Sequence, residues 1–338
     1  MCYTLPKKLI FTRADEPIKQ TMTTALPKVP PSGVWAPVPT LFDPETDTLI
    51  PESQAALYAY LSKTGLAGLV ILGTNAETFL LTREERKTLV QTARQAVGPA
   101  FPILAGCGGH STRQTLEFIA DAADAGANYA LVLPPAYFGK ATTPAVIDAF
   151  YGEVAGKSAL PIVIYNFPAV CNGVDLDSAT IAKLAKKHGG IVGVKLTCGS
   201  VAKITRLTAE LPADRFATFG GQSDFLIGGL SVGSAGCIAA FANVFPRTLA
   251  RIYTLYKEGK HDEALALHRK AALAEQPCKA GIAAVKYATA IYTAPQAGIE
   301  GAVEKLKPRR PYTEASAAQK EGLAAETAEL AQIEASLR

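Results

Sequence analysis

Two side chains near the ends of apolar runs, a lysine and a tyrosine, have the most chemical reach in this 338-residue chain. In IVGVKLT (191–197) a period of two sets Val192, Val194 and Leu196 on one face, and Ile191, Gly193, Lys195 and Thr197 on the other. The more apolar set belongs against covering helices, which points Lys195 inward. A lysine held there is stripped of hydration, and desolvation favours the neutral amine, a nucleophile toward carbonyl carbon. The competing reading is a lysine with a buried stem whose ammonium reaches water or a carboxylate. In PIVIYNFP (161–168) the same alternation groups Val163, Tyr165 and Phe167. With that face inside, the Tyr165 phenol stands on the neighbouring strand near the depth of Lys195. Taken alone, Tyr165 reads equally well as a core tyrosine with a bonded hydroxyl.

A third stretch, GTNAETFLLTREER (73–86), follows the apolar run Leu69-Val70-Ile71-Leu72 and leads into a helix. Thr82 and Glu85 fit a capping box. The hydroxyl and amide groups of Thr74 and Asn75, at a strand's C-terminal end, suit a small anionic ligand. The two readings are compatible.

The elements that must position these residues alternate. Eight apolar runs read as strands: 34–42, 68–74, 101–107, 129–137, 161–167, 191–197, 216–221 and 235–243. Helix-like segments lie between them, among them 52–64, 83–96, 112–125, 144–158 and 177–188. Such alternation calls for a parallel sheet, and eight units over roughly 210 residues suit a closed (β/α)8 TIM barrel, for which about 250 is typical. An open doubly wound sheet is the alternative, but APVPTLFDP after the first run is no glycine-rich phosphate turn. AGCGGHST (105–112) lacks the GK[ST] ending of a phosphate loop and reads as a strand-to-helix turn with Ser111 or Thr112 near the cap. Beyond Pro246 the pattern is helical without strands. The expected organisation is a poorly ordered extension over 1–32, a barrel over 33–250 and an appended helical region over 251–338.

Composition excludes several classes. The chain is 49% hydrophobic and 19% charged, with a net charge of +4 from 34 basic and 30 acidic residues. The short basic clusters, Lys7-Lys8, Lys186-Lys187 and Arg309-Arg310, have no interleaved aromatics and read as solvated surface, so no nucleic-acid partner is expected. Six widely spaced cysteines read as free thiols of a reducing compartment. His110, His188, His261 and His268 form no ligand pair, and His261 and His268 fall in a polar helical stretch, so no metal is expected. No run approaches the roughly 18 apolar residues of a membrane span. Lys7, Lys8, Arg13 and Lys19 argue for a transit peptide, and Asp15, Glu16 and the prolines argue against one. The expected compartment is the cytoplasm, with the mitochondrion as alternative, and Met22 is a possible second start.

Four motifs in register carry a resemblance. GTNAET, YNFP, GVKLT and GGQSDFLIGGLSVGSAGCIAAFANV, closed by KPRRPY, resemble the dihydrodipicolinate synthase / N-acetylneuraminate lyase family of class I aldolases from about Gly33 to Tyr312. The resemblance implies that Lys195 forms a Schiff base with a 2-oxo acid and that Tyr165 moves protons to and from the aldol oxygen. Thr74 and Asn75 fall where the carboxylate of the pyruvate moiety is bound, with Thr74 also in the proton relay. Tyr137 matches a tyrosine lent across a subunit interface, while Ile238 and Gly221 match pocket positions. It further implies no cofactor and a homo-oligomer, a tetramer or a dimer. Two departures point to the substrate. The dihydrodipicolinate synthases carry an arginine after YNxP for a distal carboxylate, where this chain has Ala169-Val170-Cys171-Asn172-Gly173. The usual G-T-T-G-E turn is G-T-N-A-E here, similar to the 4-hydroxy-2-oxoglutarate aldolases and, most of all, the fungal 2-keto-3-deoxy-L-galactonate aldolases. The expectation is a lyase that releases pyruvate and L-glyceraldehyde from 2-keto-3-deoxy-L-galactonate, with Asn172 and Ser223 as neutral partners for the sugar hydroxyls. The alternatives are 4-hydroxy-2-oxoglutarate cleavage, a dihydrodipicolinate synthase-like condensation, or a non-catalytic 2-oxo-acid-binding barrel.

Overall fold

Each of the eight apolar runs forms a strand, and each strand is shorter than its run because the run's last residues turn away to form the rim of the barrel. The computed structural model describes residue 1 and residues 29–337. In chain order the first half comprises β1 (Gly33–Pro37), α1 (Pro51–Leu61), β2 (Gly68–Ile71), α2 (Arg83–Val97), β3 (Ile103–Gly106), α3 (Thr112–Asp124), β4 (Tyr129–Val132) and α4 (Pro144–Lys157). The second half continues with β5 (Ile162–Asn166), α5 (Ser178–Lys187), β6 (Ile191–Leu196), α6 (Val201–Glu210), β7 (Ala217–Gly220), α7 (Leu226–Ser231), β8 (Gly236–Ile238) and α8 (Pro246–Lys257). Four helices follow: α9 (His261–Glu275), α10 (Ile282–Tyr292), α11 (Ala302–Lys305) and α12 (Ala317–Ser336).

Every strand pairs in parallel with its sequence neighbours, and β8 closes on β1. The fold is a (β/α)8 TIM barrel, not an open sheet. Helix starts are written in the sequence. Ser111, Thr143, Asp177 and Ser200 each accept an N–H from three residues ahead, and Thr82 and Glu85 form the expected reciprocal capping box. Each such cap is worth about 1 kcal/mol and fixes where the chain leaves the rim.

Both faces of the sheet are apolar, as a fully covered parallel sheet requires. Ile71, Ile103, Val132, Ile164, Val194 and Leu196 face the helices, while Val70, Leu104, Leu131, Val163, Phe219 and Ile238 fill the interior. Trp35 closes the floor, edge-on to Tyr129 and Phe219 at 6.5 and 6.2 Å. A Cβ at position 68 would lie 2.3 Å from the Trp35 ring, so glycine is required there.

Strict alternation fails at one place in β6. Ile162 pairs with Ile191, but Val163 pairs with Gly193, which leaves Val192 as the extra residue of a bulge. Ile191 therefore packs toward the helices and Val192 toward the interior, the reverse of the two-residue period. Beyond the bulge the phase is restored, with Val194 and Leu196 outward and Lys195 inward.

The expected N-terminal extension lies mostly outside the described residues. Within them, the Pro31 carbonyl accepts from Trp35 Nε1 at 3.0 Å and the Val29 carbonyl from the Tyr129 hydroxyl at 3.4 Å, so chain before Gly33 seals the barrel floor. The α8 helix runs through the expected boundary at residue 250, and α9 and α12 pack on it. The five described cysteines are free. No helix of the described residues is long and apolar enough to cross a membrane.

Candidate active site

Register places Tyr165 and Lys195 directly opposite each other on β5 and β6. The Lys195 Nζ donates to the Tyr165 hydroxyl at 3.2 Å and lies 4.2 Å from the centre of its ring. Thr74 Oγ1, on the 3-10 turn Thr74–Ala76 that follows β2, is 3.4 Å from the same hydroxyl. One phenol oxygen thus stands between an amine and an alcohol, an arrangement through which a proton can pass. Asn75 is half-buried in the same turn. Lys195 and Tyr165 are only 2% and 4% exposed. Tyr165 and Thr74 line a narrow cleft at the barrel mouth with Gly106 and Leu131; Lys195 does not.

Ile238 is fully buried among the interior residues. Gly221 follows β7 and donates its N–H to the Leu196 carbonyl at 2.9 Å. A Cβ there would stand 2.1 Å from Thr197 Oγ1, so only glycine lets β7 pass this close. Thr197 Oγ1 is buried with no hydrogen-bond partner among the described residues. An orphaned hydroxyl two residues from Lys195 is a polar group that a ligand can satisfy. Alternation had placed Thr197 on the inward face without giving it a role. Tyr137 stands apart, 71% exposed on the loop after β4, where its ring meets His110 and Phe138 edge-on at 5.8 and 5.2 Å. Within one chain it does not join the Lys195 cluster.

The turn that carries Thr74 is held from two sides. Glu77 closes it in a left-handed conformation, φ 56°, a strain of roughly 1–3 kcal/mol that the surroundings must impose. Its buried carboxylate accepts from Lys286 Nζ at 2.5 Å and from the Arg309 backbone N–H at 2.7 Å. Burial pushes the Lys286 ammonium down from its usual range, opposed by Glu77. The Arg309 guanidinium makes two bonds to Glu85, at 2.7 and 2.8 Å. Arg309 is therefore not the solvated surface charge expected of the Arg309-Arg310 pair, whereas Lys186 and Lys187 do form exposed ion pairs with Glu210 and Asp148. From the other side Arg86 donates to Thr78 Oγ1 at 2.7 Å and to the Gly106 carbonyl at 2.8 Å.

Two expected substrate partners are engaged elsewhere. Ser223 Oγ donates to Glu275 at 2.6 Å, and its carbonyl lies 2.7 Å from His268 Nε2. His268 is accordingly buried, not on a polar helix face. Desolvation pushes its pKa down and that of the Glu275 carboxyl up. Asn172 donates to the carbonyls of Ala136 and Tyr137 at 2.7 and 3.2 Å and so ties down the loop after β4. Ser223 is thereby buried and committed, while Asn172 is exposed and has only its amide nitrogen engaged.

A larger cavity of about 480 Å³ opens beside this site and shares Thr74, Thr78 and Phe79 with the narrow cleft. Its other walls include Val170, the 280–283 segment, Tyr312 and Thr313. Glu77 is the one charged residue on its wall among the described residues.

Comparison with known proteins places the chain in a family. The model of the dihydrodipicolinate synthetase family matches residues 30–330. A mitochondrial protein of Coccidioides immitis, provisionally named 4-hydroxy-2-oxoglutarate aldolase, is 66% identical over 312 residues, covering 92% of this chain and 99% of that one. The L-threo-3-deoxy-hexylosonate aldolase of Hypocrea jecorina is 37% identical over 274 residues, 78% of this chain and 87% of that one. A crystal structure from Coccidioides immitis, assigned to the dihydrodipicolinate synthase family, superposes with a TM-score of 0.88 at 62% identity and covers 93% of this chain and 100% of that one. The chain belongs to the dihydrodipicolinate synthetase family, and within it is a class I aldolase, a carbon–carbon lyase.

Proposed function

We propose that the enzyme cleaves a six-carbon 3-deoxy-2-oxo sugar acid, by preference 2-keto-3-deoxy-L-galactonate, to pyruvate and L-glyceraldehyde through an imine on Lys195. The observation that carries the substrate reading is the cavity beside Thr74. Its one charged wall residue among those described is an acid, Glu77, and the hydroxyl-bearing residues Thr74, Thr78, Tyr312 and Thr313 also line it. Of the cations near it, Lys286 pairs with Glu77, Arg309 with Glu85 and Asp47, and Lys279 with Asp224, while Arg310 is exposed and is not among the residues that line the cavity. A second substrate carboxylate would meet no cation on that wall, an unfavourable placement wherever the group is desolvated, whereas sugar hydroxyls need only neutral partners.

In this reading the Lys195 amine adds to the C2 carbonyl, and loss of water gives the imine. Protonated, the imine withdraws electrons from C3 as the C3–C4 bond breaks, and the electron pair enters an enamine. Tyr165, between Lys195 and Thr74, gives its phenolic proton to the departing water as the imine forms, and the resulting phenolate takes the proton of the C4 hydroxyl as the aldehyde leaves. A proton then returns to C3, and water hydrolyses the imine to free pyruvate and Lys195. Thr74 and Asn75 hold the carboxylate of the pyruvate moiety, while Ile238 and Gly221 shape the pocket around the imine. The imine is the electron sink, so these steps call for no cofactor.

The name of the 66% identical relative favours a second reading, 4-hydroxy-2-oxoglutarate cleavage. The two part in a side-by-side pyruvate-release assay. The sugar acid should exceed 4-hydroxy-2-oxoglutarate in kcat/KM by at least about tenfold, roughly 1.4 kcal/mol of discrimination. Equal or reversed efficiencies move the assignment to the second substrate. Absence of pyruvate release from either would favour the non-catalytic binder, a reading that the retention of both Lys195 and Tyr165 opposes. A homo-oligomer, a tetramer or a dimer, would bring Tyr137 against a neighbour's site. The same relative's designation favours the mitochondrion over the cytoplasm, which imaging of a fluorescent fusion would test.

A further inference from the structure

We propose that Lys286 and Arg309, from the helical region beyond the barrel, are positioning residues for the anion-binding turn after β2. By fixing the Glu77 carboxylate they set the place of Thr74 and Asn75, and through them the affinity for the carboxylate of a 2-oxo acid. The inference rests on the proposed role of Thr74 and Asn75.

Glu77 is the pivot of the segment. Its N–H donates to the Thr74 carbonyl at 3.0 Å and closes the first 3-10 turn, while its own carbonyl accepts from Leu80 at 2.8 Å and opens the second. A residue with a Cβ holds a left-handed φ only where its surroundings over-determine it. Here the surroundings are the two partners that use both carboxylate oxygens, Lys286 Nζ on Oε1 and the Arg309 N–H on Oε2. Lys286 is fully buried and Glu77 is its one hydrogen-bond acceptor among the described residues. The Phe42 ring lies 4.7 Å from Lys286 Nζ and 4.9 Å from the Arg309 guanidinium, and Glu77 is the main counter-charge for Lys286, with a smaller contribution from Asp47. Arg309 is itself anchored by Glu85 and by Asp47. The Thr40 hydroxyl adds a bond to the Ala76 carbonyl at 2.8 Å.

Rotation of the turn about Glu77 would therefore break a buried ion pair. Neither Lys286 nor Arg309 hydrogen-bonds to Lys195, Tyr165 or Thr74. Their effect on the site is positional, and it gives the appended helices a share in substrate affinity that the barrel alone would lack.

The test titrates pyruvate against borohydride trapping in the full-length Lys286→Met variant, alongside steady-state kinetics and thermal unfolding. Loss of the Glu77 anchor should raise the half-trapping pyruvate concentration at least about tenfold and, because Thr74 also stands 3.4 Å from the Tyr165 hydroxyl, lower kcat at saturation as well. A merely structural role lowers the active fraction and leaves the half-trapping concentration unchanged, which would refute the proposal. The double variant Glu77→Gln/Lys286→Met leaves no unpaired buried charge. It should show the same rise and is read in the same way where the single variant fails to fold. The parent, trapped in parallel, separates the two levels. No label on its Lys195 overturns the imine reading and this proposal together, whereas a labelled parent beside an unaltered variant overturns the positioning role alone.

Discussion

Replacing Tyr165 with phenylalanine removes one oxygen and leaves the ring. That oxygen accepts from Lys195 at 3.2 Å and lies 3.4 Å from Thr74 Oγ1. The ring keeps Phe167 at 5.8 Å between centroids and stays 4.2 Å from the Lys195 nitrogen, so the lysine is still held over it. Two separate costs follow. Leaving a buried donor without its partner costs about 1–3 kcal/mol of stability. Removing a general acid–base costs on the order of 10²–10⁴ in rate, or about 2.7–5.5 kcal/mol at 1.36 kcal/mol per decade. Pyruvate release, coupled to NADH oxidation at saturating sugar acid, reads the second cost, and thermal unfolding reads the first. The Tyr165→Phe variant should lose about 10²–10⁴ in kcat and still yield a borohydride-trapped adduct on Lys195. Turnover within about threefold of the parent would show that another group carries the proton.

Three further outcomes test other parts of the account. In Gly221→Ala the new Cβ would fall 2.1 Å from Thr197 Oγ1 and 2.5 Å from Thr197 Cα, which forces the end of β6 to move. A displacement near 1 Å costs on the order of 10² in kcat/KM, and a parent-like value would contradict the close approach. Burial raises the Glu275 carboxyl above 4.5, so the folded state keeps a proton that the unfolded chain releases, and that contribution to stability is lost as pH rises. Glu275→Gln removes this dependence, so the parent's Tm relative to it should fall as pH rises through and above 4.5; a constant or rising difference would contradict the assignment. Sedimentation at assay concentration should find a dimer or tetramer, and a fully active monomer would remove Tyr137 from the site.

Much of this was legible because it is local. Eight β-branched runs between helical segments imply the barrel, and Thr82 and Glu85 announce the start of α2. Alternation brings Lys195 and Tyr165 to one face. The β6 bulge was hidden, since a period of two has no term for an extra residue; Lys195 kept its side because it lies beyond the bulge. The remaining surprises are long-range. Glu275 meets Ser223 across 52 positions and Lys286 meets Glu77 across 209, and nothing local distinguishes either from a surface charge. Arg309 looked like half of a solvated basic pair, yet it is fastened to Glu85 inside the capping box of α2. Such pairings come from the way α9, α10 and the segment after α11 fold back over the barrel, and tertiary packing decides them. Ser223 misled for the same reason, because its hydroxyl is committed to a carboxylate 52 positions away.

The central claim is that Lys195 is the electrophile-binding nucleophile. Borohydride added to the full-length enzyme with pyruvate, followed by peptide mass spectrometry, tests it most directly. The account predicts one pyruvate-derived adduct per chain, on the peptide carrying Lys195, with loss of activity in step with labelling and no adduct in Lys195→Ala. Labelling at another lysine, or equal labelling of Lys195→Ala, would contradict it.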